Sequence, residues 1–306
     1  MSTEAPEAEF VVRTSEPPRL RARARLLELA AHREILTNLV RKELKVKYSS
    51  SALGVAWSML NPLLYLAVFY VVFTFILPNG VPSFPVYLLS GLIAWTLFST
   101  ATQQATASVV GNANLVTKVA FPREILPLAS VGAGLVNFAF QLLVLLAFIL
   151  VTAHPVWGWN LLLLPLALAV LLIFTTALAL ATSALNVRYR DMQHLVELAL
   201  LAWFWVTPVV YPSGLVLDRL QANGVGGLFS LYLVNPLADV VLGFQRALYG
   251  IVTFKPTSGP VVRIMPADGI AWYAARLGGV AAASLVLLYL AWRLFFHRSG
   301  DFAEEL

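Results

Sequence analysis

The chain alternates between long apolar runs and short charged segments, and this pattern predicts a membrane protein built from helices. No Asp, Glu, Lys or Arg occurs between Lys47 and Lys118, and none occurs between Glu124 and Arg188. A membrane-spanning helix needs about 20 apolar residues, so each charge-free run has room for two spans and a turn. The charged loop between the two runs would therefore lie between two membrane hairpins, on the same side of the membrane as Lys47 and Arg188.

Turn residues divide the apolar sequence into six predicted spans. Turns rich in proline and glycine lie at 78–82 and 154–159, and Pro208 and Pro212 break the fifth span near its end. The predicted spans cover about residues 58–77, 86–108, 126–152, 161–185, 195–212 and 270–292.

The segment 213–269, which precedes the last predicted span, is partly apolar but is predicted not to cross the membrane. Each unpaired charge within it would cost several kcal/mol at mid-bilayer, and an Asn-Pro pair interrupts its apolar stretch. We expect an outer pair of short re-entrant or interfacial helices, since such backbone is tolerated at membrane depth only when it packs in protein or lines a cavity. This segment is a candidate outer gate, with the candidate residues Asn235, Pro236, Asp239 and Arg246.

The amino-terminal part of the chain is polar and basic. Residues 1–34 are predicted to be a disordered, basic cytoplasmic arm, although 20–34 have helix-forming composition. Residues 35–57 carry apolar side chains at helical spacing among basic ones, which predicts an amphipathic helix in the headgroup layer. The alternative is a solvated basic arm. The residues expected to contact headgroups are Arg41, Lys42, Lys45, Lys47 and Tyr48.

Composition supports an all-α integral membrane protein. Hydrophobic residues make up 59% of the 306 residues, charged residues make up 12%, and the mean hydropathy is +0.78. Soluble domains average about 25% charged residues. The chain has no cysteine and its four histidines have no ligand spacing, so we expect no disulfide and no metal site.

The distribution of basic residues predicts the orientation. The formal net charge is +5, but nearly half of the 21 Lys and Arg residues precede residue 48, which indicates a membrane-flanking segment rather than a nucleic-acid partner. With six spans, most of the 21 lie on the side of the amino terminus. The positive-inside rule then places both termini in the cytoplasm, whereas a seventh span would put the carboxyl terminus outside.

The sequence contains no motif that would supply energy or catalysis. It has no Gly-Lys dipeptide and therefore no phosphate-binding G-x-x-x-x-G-K-[ST] loop. The spans also lack the paired carboxylates of an ion-coupled transporter or a transferase, apart from His194 and Glu197 at the start of the fifth span. By elimination, a non-enzymatic pore or permease driven by a separate subunit fits best, with no cofactor bound by this chain.

Several local motifs resemble one known family. They are L-V-R-K-E-L-K-V-K-Y at 39–48, G-V-A-W at 54–57, N-P-L at 61–63, K-V-A-F-P-R-E-I-L-P at 118–127, N-V-R-Y-R-D at 186–191, T-P-V-V-Y-P at 207–212, N-P-L at 235–237 and F-A-E-E-L at 302–306. Together they resemble the membrane subunit of ABC-type polysaccharide exporters, which move O-antigen, teichoic acid, capsule or cell-wall glycan precursors such as galactan. The resemblance covers about residues 35–306.

The resemblance implies a homodimer in the bacterial cytoplasmic membrane, bound to two ATPase subunits that hold ATP and Mg. The cargo would be a polyprenyl-diphosphate-linked glycan, moved among membrane lipids. The two cytoplasmic loops would receive the conformational change of the ATPase through an apolar knob, Phe121-Pro122, and a surrounding charged rim. The alternative for any one residue is an ordinary positive-inside anchor. The expected coupling residues are Lys118, Phe121, Pro122, Arg123, Glu124, Arg188, Tyr189, Arg190 and Asp191.

A glycan pathway needs flat apolar faces for sugar rings, and aromatic residues are candidates for it. Three of them follow one helix face at spacings of four residues, and Trp203 and Trp205 point to roughly opposite faces, so at most one of these two would face a given pathway. Lipid contact or helix packing is the alternative for each. The candidates are Tyr65, Phe69, Phe73, Trp95, Trp203, Trp205 and Tyr211.

Two other functions remain compatible with the residues. A drug or lipid exporter of similar fold would share the topology and the inner loops. A membrane-embedded glycosyl-lipid enzyme is the alternative from another class, and the lack of carboxylates within the spans argues against it.

Overall fold

A computed structural model describes residues 22–48, 81–152, 154, 158–255 and 261–306, with a few positions between 57 and 76. Of the predicted span 58–77, the structure describes scattered helical positions from residue 60 onward and a π-helical turn, Val72–Ile76. The side chains of Tyr65, Phe69 and Phe73 lie outside the described residues.

The described chain is mostly helical. Its helices are α1 (Ala22–Ala31), α2 (Arg33–Tyr48), α3 (Phe84–Gly111), α4 (Ala113–Lys118), α5 (Ile125–Val151), α6 (Leu163–Arg188, preceded by a 3-10 turn at Trp159–Leu162), α7 (Met192–Val206), α8 (Ser213–Ala222), α9 (Leu228–Tyr232), α10 (Pro236–Leu248), α11 (Ile270–Ser299) and α12 (Phe302–Glu305). Two short antiparallel strands, β1 (Thr253–Phe254) and β2 (Val262–Arg263), form a hairpin that the all-α prediction did not include.

Four of the described helices are long and apolar enough to cross a membrane: α3, α5, α6 with its 3-10 turn, and α11. They correspond to the second, third, fourth and last predicted spans. Helix α7, on the fifth predicted span, has 15 residues and therefore a length of about 22 Å, against a hydrocarbon core of about 30 Å. It ends at Val206, before the two prolines, and the count of six spans stays a prediction.

Helix α3 lies at the centre of the bundle, packed against α5, α6 and α10. Its side chains Tyr87 and Phe98 are fully buried. The approach of α5 depends on small residues, since a Cβ atom on Gly134 would lie 3.1 Å from the Cβ of Ala101. In lipid, such close backbone packing replaces the hydrophobic driving force that is absent between helices.

The bundle has two distinct ends. At one end, which we call the loop end, α3, α6 and α11 finish and α5 begins, and a cluster that includes Val109, Val187 and Phe295 is buried there. At the other, the hairpin end, α3 begins, α5 finishes and the β1–β2 hairpin lies. His154 Nε2 donates to the Tyr249 carbonyl (2.8 Å) at this end.

The amino-terminal segment is more ordered than predicted. Residues 22–34 form α1 and the start of α2, so the expectation of a disordered arm is wrong for this part. Helix α2 covers much of the predicted amphipathic segment and packs directly on α5. A Cβ atom on Gly132 would lie 2.9 Å from Val40 Cγ2, so the glycine is what allows this approach.

The described residues of the segment, 213–255 and 261–269, lie at the hairpin end, where they contact the start of α3 and the start of α11. They include three short helices, α8, α9 and α10, where a pair was predicted. Helix α10 is buried along nearly its whole length. Gly214 permits the hairpin to approach α8, because a Cβ atom there would lie 2.1 Å from the Arg263 carbonyl oxygen.

Candidate functional site

The loop end carries an exposed charged rim made by two segments. Lys118 is the last residue of α4, and the turn between α6 and α7 exposes residues 188–191. The guanidinium of Arg188 lies 5.7 Å from the centre of the Tyr189 ring. The exposed predicted coupling residues are Lys118, Arg188, Tyr189, Arg190 and Asp191, which we call the rim.

The predicted apolar knob does not project from the loop end. Phe121 is half-buried and packs against the cluster of Val116, Phe295 and Phe302, and Pro122 is buried. The exposed apolar surface of the loop is instead Val119, together with Ala120. The knob prediction is therefore wrong for Phe121 and Pro122 as exposed groups.

Two more predicted rim residues are held inside the protein. Arg123 is half-buried and donates to the carbonyl of Ser299, at the end of α11. Glu124 has only 1% of its side chain exposed and accepts both Nε and Nη2 of Arg25, at 2.9 and 2.7 Å. Glu124 therefore does not belong to a charged rim. Arg25 is one of several arginines in an Arg-Ala repeat, and nothing in the sequence marks it as the partner of Glu124.

Helix α2 presents Arg41, Lys42 and Lys45 to the surface, while the side chains of Lys47 and Tyr48 lie outside the described residues. Lys42 Nζ donates to Asn112 Oδ1 (2.9 Å). The inward face of α2 lines a cavity of about 390 Å³ between α2, α3 and α5.

One carboxyl on this inward face has an altered pKa. Ser130 Oγ donates to Glu43 Oε1 at 2.9 Å. Burial raises the pKa of the Glu43 carboxyl above its ordinary value, and the hydrogen bond from Ser130 and the charge of Lys42 oppose this shift.

The predicted pathway aromatics separate into packed and exposed groups. Trp95 is 8% exposed and packs against Phe98 and Phe204. Trp203 is half-buried and its Nε1 donates to Asn235 Oδ1 (2.8 Å). Trp205, by contrast, is 59% exposed, so the two tryptophans do point to different faces.

Tyr211 joins the end of α7 to the bundle. Its hydroxyl donates to the carbonyl of Trp205 (2.9 Å), and its own carbonyl accepts the hydroxyl of buried Tyr87 (2.7 Å). Among the described candidates, Trp205 is the most exposed, although its ring packs against Phe204, with the ring centres 5.5 Å apart.

At the hairpin end, the predicted gate residues Asn235 and Pro236 start α10. The Asn235 side chain caps the helix by accepting the backbone N–H of Leu237 (3.1 Å), and its amide donates to Thr207 Oγ1 (3.1 Å). With the bond from Trp203, these contacts tie the end of α7 to the start of α10.

Asp239 is paired with an arginine that the sequence did not identify as its partner. Arg276, on α11, donates Nε to Oδ1 at 2.7 Å and Nη2 to Oδ2 at 3.0 Å, and also donates to the carbonyl of Leu233. The guanidinium lies 5.5 Å from the centre of the Trp272 ring. This pair borders a cavity of about 550 Å³ between α6, α10 and α11.

Arg246, the other predicted gate charge, stays within the hairpin end. It donates to the carbonyl of Gly250 (3.3 Å) and lies 5.6 Å from the centre of the Tyr273 ring. Within the described part of the chain, no group of three or more His, Cys, Asp or Glu residues could hold a metal ion.

These features define a multi-pass helical membrane protein with charged loops gathered at one end of its bundle. The sequence profile of the ABC-2 type transporter membrane family matches residues 35–222. The chain belongs to this family, and the resemblance inferred from its motifs is confirmed.

Curated relatives extend the match over nearly the whole chain. An O-antigen export system permease protein RfbA of Myxococcus xanthus is 33% identical over 280 residues, which cover 91% of this chain and 98% of that protein. A Klebsiella pneumoniae RfbA permease is 31% identical over 216 residues, covering 69% and 79%. The polysialic acid transport protein KpsM of Escherichia coli is 23% identical over 209 residues, covering 65% and 75%.

Proposed function

We propose that this chain is the permease subunit of an ATP-driven ABC exporter that moves a polysaccharide across the bacterial cytoplasmic membrane. The observation that carries this proposal is the 33% identity to an O-antigen export permease over 91% of the chain. The name of the more distant relative refers to polysialic acid, another polysaccharide. A polysaccharide cargo is therefore favoured over a drug or a simple lipid.

The energy would come from separate ATPase subunits, since the chain has no phosphate-binding loop of its own. Two copies of the ATPase, holding ATP and Mg, would contact the rim at the loop end of a permease homodimer. The chain itself would be a transporter component and not an enzyme. Exposed cations such as Lys118 and Arg190 suit a docking surface with acidic side chains opposite them.

The proposed arrangement in the membrane has six spans, both termini in the cytoplasm and α8–α10 re-entrant from the outer face. The loop end is then cytoplasmic and the hairpin end is external. Helix α7 exposes an apolar stripe of Leu195, Leu198, Leu201 and Trp205. The second copy would cover part of this stripe, and the remainder would contact a polyprenyl-diphosphate-linked glycan.

The coupling assignment is tested by reversing two rim charges in the purified complex. Lys118 and Arg190 are preferable to Arg123, because both are exposed while Arg123 holds Ser299. We expect K118E/R190E to weaken ATPase binding and the ATPase rate of the complex. A single exposed pair is worth only about 0–1 kcal/mol, which is why both charges are changed.

The matched control is R219E, at an exposed position on α8 at the hairpin end. It should leave ATPase binding unchanged. If K118E/R190E also leaves binding and ATPase activity unchanged, the rim is not the docking surface.

The pathway assignment is tested at Trp205. Replacing it by Leu keeps the surface apolar but removes the flat ring, so glycan export should slow at normal membrane abundance. Tyr289 on α11, which is also exposed, is the control, and Y289L should export normally. Normal export by W205L would assign this face of α7 to lipid or to the second copy alone.

A further inference from the structure

Helix α1 lies before the part of the chain that matches the family profile, yet it contacts the 119–124 loop directly. The profile match begins at residue 35, whereas α1 covers Ala22–Ala31. A cavity of about 610 Å³ lies between α1, this loop and the end of α11, so the three elements meet at one place. The amino-terminal extension is thus part of the loop end.

The contact is a two-point ion pair with a buried acceptor. Arg25 reaches both oxygens of Glu124, and the Arg25 side chain is itself 18% exposed. The third nitrogen of the guanidinium, Nη1, donates to Glu28 Oε2 at 2.7 Å. Its Cζ atom lies 5.3 Å from the centre of the Phe296 ring on α11. All three guanidinium nitrogens therefore have a carboxylate partner, and one face of the group lies against an aromatic ring.

Glu124 connects three elements, because its oxygens contact α1 and α11 while its backbone continues into α5. It directly precedes the first residue of α5, and its Oε1 also accepts Trp292 Nε1 of α11 at 3.3 Å. A buried carboxylate keeps its charge only where cations and donors replace water. Arg25 supplies the cation from a position 99 residues earlier in the chain. The pair thus fixes the end of the 119–124 loop to both α5 and α11.

We propose that α1 is part of the coupling apparatus and that Arg25 is a positioning residue for the 119–124 loop. With Arg25 in place, a displacement of the loop by the ATPase moves α5 and α11 with it. Without Arg25, the loop moves less closely with α11, and ATP hydrolysis then drives less export. This inference rests on the proposed function, because it assigns a role within ATPase coupling.

The test uses Arg25→Lys, which keeps the charge but lacks the planar fork that binds both carboxylate oxygens. This chain has no cysteine, so a spin label attached to A120C, at an exposed loop position, before assembly with the ATPase reports loop motion without labelling elsewhere on the chain. We expect R25K to increase label mobility in the purified complex. Surface polysaccharide per ATP hydrolysed should fall about tenfold, as expected for the loss of one charge-assisted hydrogen bond.

Two further variants separate positioning from folding. R23K changes an exposed arginine of the same helix and should leave both readouts unchanged. R25Q leaves Glu124 buried without its cation and is expected to lower abundance, whereas R25Q/E124Q removes both charges. The double variant should regain abundance while the loop label stays mobile and coupling stays low.

The outcomes distinguish this inference from the proposed function. Unchanged label mobility in R25K, or a mobile label with normal polysaccharide per ATP, overturns the role of Arg25. Recovery of coupling together with abundance in R25Q/E124Q also overturns it, because the pair would then serve folding alone. If the wild-type complex exports no polysaccharide, the proposed function fails, and the label still reports whether Arg25 holds the loop.

Discussion

Removing Arg276 should destabilise the protein more than removing Asp239, because the two partners differ in burial. The Asp239 side chain is 3% exposed, whereas Arg276 is 30% exposed. R276M leaves a buried carboxylate without its cation, which costs about 3–5 kcal/mol in unfolding free energy. D239L leaves a guanidinium that reaches solvent and keeps its bond to Leu233, so its cost is about 1–3 kcal/mol.

The double variant makes the sharper test. Replacing a buried ion pair by apolar side chains of similar size is often nearly neutral, because the desolvation of both charges disappears with them. D239L/R276M should therefore be more stable than R276M alone. Its unfolding free energy should depart from the sum of the single effects by at least about 2 kcal/mol.

The unfolding free energy is measured by reversible unfolding of the purified protein in mixed detergent, for the wild type, the two single variants and the double variant, which form a double-mutant cycle. The control cycle uses Arg263 and Asp218, which lie 3.6 Å apart with 38% and 46% of their side chains exposed. Their interaction energy should be about 0–1 kcal/mol. Additive effects of the Asp239 and Arg276 substitutions would refute the reasoning, because they would mean that Arg276 does not stabilise the buried charge of Asp239.

Three further predictions concern local contacts. The pKa of Glu43 is higher in the folded than in the unfolded state, so the carboxyl contributes its full stabilisation at pH values below its unfolded-state pKa and loses it as pH rises through its folded-state pKa. Thermal unfolding measured against pH should show this fall in stability, and E43Q should abolish it. G132A should separate α2 from α5 through its clash with Val40 and lower the unfolding temperature, and adding V40A should restore it. N235A should cost about 0.5–2 kcal/mol of unfolding free energy, as for other helix caps, and an unchanged value would mean that the cap is replaced by water.

Four of the predicted spans correspond to long apolar helices, because hydropathy measures the property that places a helix in lipid. Helices α3 and α5 begin and end close to the predicted limits of 86–108 and 126–152. Helix α11 continues to Ser299, beyond the predicted limit of 292, because Phe295 in its last turns packs in the buried cluster at the loop end. Hydropathy cannot detect a helix end that protein contacts stabilise.

The site residues were harder to predict, because their roles depend on partners that are distant in sequence. The cost of an unpaired charge argued against a span through Asp239, but nothing in the sequence marked Arg276 as the residue that pairs with it. Glu124 looks like any other charge in a polar loop, and only the folded chain brings Arg25 to it. Trp95 and Trp205 are both tryptophans in apolar sequence, and only the direction in which each helix face points distinguishes the packed ring from the exposed one.

Helix α11 links both buried carboxylates and therefore both ends of the bundle. Arg276 holds Asp239 near its start and Trp292 holds Glu124 near its end, separated along the helix axis by about 24 Å. A loop-end displacement that keeps the Trp292 contact must move α11, and then either α10 follows or Arg276 releases Asp239. The two-point geometry of that pair resists release.

We therefore expect D239L/R276M to hydrolyse ATP normally and fold stably, yet to export less polysaccharide per ATP, because α11 then moves without α10. The measurement compares surface polysaccharide with the ATPase rate of the same complex, and D218L/R263M is the matched control. Normal export per ATP in D239L/R276M would show that movement at the loop end reaches the hairpin end without this pair.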